Sequence, residues 1–100
     1  MTDKRKLMFS ISFEGEKPAG DIALNYYLLT QKNKLQEESG IKYTYGVMIE
    51  RKNRMSAHVS RVNDLCSDRK EMISFIDSLQ RNKVTSVTLP DVALDWVSAR

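Results

Sequence analysis

The 100 residues, 41% hydrophobic and 29% charged, fit one soluble globular domain over 1–100. A single cysteine, Cys66, excludes an intramolecular disulfide and favours a reducing compartment. The longest uncharged apolar stretch, Ile22 to Gln31, has half the length a bilayer-spanning helix needs, which excludes that class and any membrane partner of that kind. The formal charge of +3 is no evidence for nucleic acid by itself, but it is unevenly placed. Residues 1–50 carry seven basic and seven acidic side chains, whereas residues 51–100 carry nine and six.

The opening "MTDKRKLMFSISFEG" has the basic start of a secretory signal, but Leu7, Phe9, Ile11 and Phe13 alternate with Met8, Ser10 and Ser12, and no small-residue cleavage site follows. It reads as a strand of a cytoplasmic protein. "EGEKPAGD" then reads as a wide turn or mobile link, so residues 1–20 form a first strand or an arm ahead of a core at 22–97. In "IALNYYLLTQ", Leu24, Tyr26 and Leu28 share one face while Tyr27 and Leu29 share the other, the mark of a strand that is central or covered on both sides. After the polar connection "KNKLQEESG", Ile41, Tyr43, Tyr45, Val47 and Ile49 repeat with period two, as a half-buried strand requires. Gly46 inside that strand predicts a bulge or the close approach of another backbone.

"RKNR" reads as a hairpin turn because Asn tolerates positive φ, and residues 56–62 return as a strand. The period then changes. Ser67 is the expected N-cap of a helix to Asn82 whose Met72, Phe75, Ile76 and Leu79 form an i, i+3, i+4, i+7 stripe. "VTSVTL" has the composition of a strand or extended connection, and Pro90 opens a short helix, "PDVALDWV", with its boundary at Thr88 or Leu89. Val92, Leu94, Trp96 and Val97 spread around that helix, so it must lie in a groove or against another chain. The predicted fold is α+β: an antiparallel meander of three or four strands packed on one long helix, with a short C-terminal helix at the edge.

With these elements placed, "YYLL" at Tyr26 to Leu29, "YGV" at Tyr45 to Val47, "DLCSDR" at Asp64 to Arg69 and "NKVTSVTLPDVALDW" at Asn82 to Trp96 resemble a small bacterial family described only as a domain of unknown function. The resemblance covers residues 22 to 97 and implies strands, one long helix and a short terminal helix. It implies no activity and no catalytic residues, and it places Cys66 where a small hydroxyl residue is expected.

The residues offer little chemistry of their own. Cys66 and His58 are the single pair able to form a thiol nucleophile with its base, and a strand-to-helix junction explains a small residue at 66 as well. No Cys or His spacing suits zinc, no glycine pattern suits a nucleotide, and Asp68 and Asp91 fit helix starts better than acid–base work, so no enzyme, metal or cofactor is expected. Tyr27 and Trp96 are candidate protein-interaction residues, because aromatics anchor interfaces. The leading expectation is a non-enzymatic interaction or regulatory module that binds a protein or itself, a dimer included. The alternative is nucleic-acid binding through Arg51, Lys52, Arg54 and Arg61, four cations with no intervening acid.

Overall fold

The computed structural model describes residues 3–15, 20–34 and 41–99. The expected turn through 16–19, most of the polar connection before Gly40, and the side chain of Ile41 lie outside the described residues. Four strands, β1 (Asp3–Phe13), β2 (Ile22–Lys34), β3 (Ile41–Lys52) and β4 (Ala57–Cys66), precede α1 (Arg69–Arg81) and α2 (Leu89–Ser98). The strands form one antiparallel sheet in the order β1-β2-β3-β4, so the fold is the predicted α+β meander. The helices differ by just three residues, 13 against 10, a smaller contrast than "long" and "short" suggest.

Period two decides which side of the sheet each residue serves. Leu24, Tyr26 and Leu28 of β2 and Val47 and Ile49 of β3 turn to one side, where they meet Met72, Phe75, Ile76 and Leu79 of α1 and Leu89 and Ala93 of α2. Burying these side chains supplies the main stabilising term, on the order of 2 kcal/mol for each large one. β1 completes the sheet as an edge strand paired with β2, adding Phe9 and Ile11 to the same side.

Two local expectations change and a third is decided. The N-cap of α1 is Asp68 rather than Ser67, because its carboxylate accepts from the backbone N–H of Lys70 (2.9 Å) and Glu71 (3.2 Å). Asn53 shapes the hairpin through its side chain and not through positive φ: its Oδ1 accepts from the N–H groups of Met55 and Ser56 at 2.9 and 2.8 Å. Of the two readings of residues 84–88, strand or connection, the connection holds: 84 and 85 carry no regular structure and 86–88 form a turn. Lys83 adopts φ 53°, and the N–H groups of Lys83 and Val84 return to the carbonyls of Gln80 and Leu79, which closes α1 in a Schellman arrangement.

Length accounts for a further difference. A 13-residue helix is about 20 Å long, whereas a strand of 12 residues reaches about 40 Å, so the sheet overhangs its helical layer. Tyr43, in phase with the core stripe, is consequently 46% exposed.

A Cβ at Gly46 would stand 2.1 Å from the carbonyl oxygen of Val62, where the β3–β4 register shifts, so Gly46→Ala should cost roughly 2–4 kcal/mol or disrupt β4, read by chemical denaturation. Tyr26 is fully buried, its hydroxyl donates to the Val84 carbonyl at 2.7 Å, and burial pushes its pKa from 10.0 up to about 12. The folded state therefore holds that proton above the pH at which the unfolded chain releases it. The associated stability is complete below pH 10 and falls between pH 10 and about 12, by roughly 2–3 kcal/mol. Tyr26→Phe should lose about 1 kcal/mol at neutral pH and flatten the decline above pH 10, measured by denaturation at stepped pH.

Candidate interaction surface

The helices lie on one side of the sheet, and the opposite face carries side chains from all four strands. Cross-strand register sets them in rows. Leu7, Tyr27, Met48 and Arg61 form one row across β1 to β4, and Ser10, Asn25, Glu50 and Val59 form another. Between Arg5 on β1 and Gly46 on β3 sits Leu29.

The polar row is internally satisfied. Ser10 Oγ donates to Asn25 Oδ1 at 2.6 Å, and Asn25 Nδ2 donates to Glu50 Oε1 at 2.8 Å. Lys52 Nζ lies 4.0 Å from the same carboxylate. The neighbouring row is apolar at its centre. Met48 in this row and Leu29 in the row beyond it are buried by their neighbours, Tyr27 is half-buried, Leu7 remains 50% exposed, and Val59, at the end of the polar row, 49%. Two guanidinium groups border this centre. Arg5 stands over the Tyr27 ring at 5.5 Å from its centroid, and Arg61, on the far edge, donates to Asn63 Oδ1 at 3.1 Å. The result is an apolar strip with cationic margins and no helix above it.

The expected interface residues occupy different sides of the molecule. Tyr27 is central in the open face. Trp96 lies in the helical layer, stacked on Phe75 with centroids 4.5 Å apart and planes 18° from parallel. Together they wall a groove of about 340 Å³ that Glu71, Ser74, Ser78 and Arg81 complete. Trp96 thus fastens α2 to α1.

The four cations of the hairpin do not share one surface. Arg51 pairs with Leu24 and His58 in register and faces the helical side, whereas Lys52 and Arg61 face the open side. Arg54 belongs to the turn and approaches Gly20. Cys66 and His58 stand at opposite ends of the helical side of the same strand, roughly 25 Å apart at strand spacing, so they cannot act as a dyad. His58 Nδ1 instead shares a hydrogen bond with the buried Ser86 hydroxyl at 2.6 Å, and the Cys66 thiol donates to the Asp68 carbonyl at 3.3 Å. Asp64 holds φ 55° and accepts from the Thr44 hydroxyl, while Asp68 caps α1. Among the described residues no three His, Cys, Asp or Glu side chains gather as a metal site, and no helix is long and apolar enough to cross a membrane.

Sequence reasoning singled out Tyr27 and set Leu29 on its face, but it grouped Leu7 with Phe9 and Ile11, whereas the register shift between Leu7 and Phe9 turns Leu7 to the open face; Met48 and the bordering Arg5 it missed. The signal was present in β2, whose two faces are both apolar although helices can cover just one.

The model of a family of unknown function, DUF6514, matches residues 4–99. No curated protein and no solved structure matches the chain. The family match takes in β1, so the strand expected to stand ahead of the family pattern lies inside it. This chain belongs to DUF6514, the family of unknown function.

Proposed function

We propose that the chain is a non-catalytic protein-interaction module that docks its partner on the open face of the sheet. The apolar row Leu7–Tyr27–Met48, left without a helix and bordered by Arg5 and Arg61, carries this reading. A sheet with one helical layer has a second face on which another apolar element gains by packing. The guanidinium margins select what that element is: an apolar stripe with acidic residues along its border, whose carboxylates meet Arg5 and Arg61. Tyr27, rigid and half-buried at the centre, has the character of an anchor.

Nucleic-acid binding through Arg51, Lys52, Arg54 and Arg61 is the second reading, favoured by four cations without an intervening acid. Their division between the two sides lets about two meet one phosphate backbone together, which sets a salt slope near two rather than four.

The test is titration of isotopically labelled protein with a synthetic amphipathic helical peptide whose apolar stripe is bordered by aspartates. Shifts should gather at Leu7, Tyr27, Met48 and Val59, and Arg5→Glu with Arg61→Glu should weaken binding at least about tenfold, equivalent to ~1.4 kcal/mol. Trp96→Ala should lower stability by about 2–4 kcal/mol and leave the peptide affinity of the folded protein unchanged. Shifts confined to residues 51–61 with mixed oligonucleotides, and none with peptide, would replace this reading with the second.

A further inference from the structure

Resting on that reading, we infer that the open face receives the outer side of α2 from a second copy of the chain. α2 buries Leu89 and Ala93 against its own core but turns other apolar residues outward. Leu94 is 65% exposed and Val97 41%, with Val87 in the preceding turn at 67%. Pro90, Leu94 and Val97 follow i, i+4 and i+7, so they share one side of the helix. Asp91 and Asp95, one turn apart and exposed, run beside that stripe. From Val84 to Ala99 the chain has these two acids and no base, within a molecule of net charge +3. The outer side of α2 is therefore an apolar stripe with an acidic border, the complement of the cation-bordered row on the sheet.

The dimensions agree. A helix of 10 residues is about 15 Å long, and the row from Leu7 to Arg61 crosses three strand spacings, also about 15 Å. One chain cannot satisfy itself, because α2 belongs to the helical side and the row to the opposite side. The contact is consequently head-to-tail, each sheet taking the helix of the next copy, and it leaves a free patch at both ends of an assembly that does not close into a ring. So small a footprint lies at the weak end of specific interfaces and gives concentration-dependent association.

Sedimentation of the full-length protein across a concentration series decides the matter. Wild-type mass should rise with concentration past that of a dimer, and fall as salt is added. The double variant R5E/R61E should stay monomeric, and so should L94K, whose site is already exposed; thermal melts should show both folded. Mixed in equal amounts, the two variants should form a 1:1 heterodimer that grows no further, since one retains an intact helix and the other an intact sheet face. Association of either variant alone, or a monomeric mixture beside an associating wild type, overturns the head-to-tail pairing. A wild type that stays monomeric yet binds the acidic peptide on the open face overturns this inference and leaves the docking surface standing. A wild type that does neither removes both.

Discussion

The hydrogen bond from the Tyr26 hydroxyl to the Val84 carbonyl ties the middle of the sheet to the turn between the helices. Both ends of the bond are specialised for it. The ring is fully buried between the sheet and α1, and Val84 is where the backbone turns back after the left-handed Lys83. The bond satisfies a carbonyl that would otherwise be left close to the core, and it fixes where the chain leaves α1. α2 starts five residues beyond Val84, so its direction follows from that anchor, and the Phe75–Trp96 stack holds its far end. With both ends held, Leu89 and Ala93 must face inward, which leaves Leu94 and Val97 facing out.

The same constraint limits what the helices can cover. Two helices of 13 and 10 residues, both committed to one side, cannot shield a sheet with strands of 10 to 13 residues. Uncovered apolar surface appears in consequence at Leu7, at the end of the row through the half-buried Tyr27, and at the overhanging Tyr43. The two regions are handled differently. Leu29 and Met48 are sheltered by their own neighbours on the open face, and Asn25 is buried there with both sides of its amide engaged, so this face is ordered and presented as a surface. Tyr43 simply stands beyond the reach of α1.

Much of the fold was legible because it is periodic. The alternation in β3 and the four-residue stripe of α1 each placed a face correctly, and both faces are in contact. Chemistry was harder to place than periodicity. Ser67 and Asp68 are adjacent residues that both cap helices well, and only the carboxylate's two backbone bonds distinguish them. The β-branched residues of 84–88 resemble a strand by composition, yet the chain there must reverse between Lys83 and Pro90, and no strand fits that span. The division of the basic hairpin, by contrast, was implicit in the sequence. Arg51 and Lys52 are consecutive in a strand and so point to opposite faces.

What the sequence could not disclose was which of the two apolar faces of β2 would remain open. That depends on which side the helices take, and on the side they take the Tyr26 hydroxyl meets the Val84 carbonyl. A tyrosine at 26 tolerates burial since its hydroxyl donates a hydrogen bond to the Val84 carbonyl, whereas Tyr27 sits under the Arg5 guanidinium at 5.5 Å, an arrangement that keeps a cation near solvent. A purely apolar element laid on that face would bury Arg5 and Arg61 without carboxylates, at a cost of several kcal/mol for each charge. The open face is thus stable as an exposed surface, and it closes favourably only beneath an element that brings its own acids.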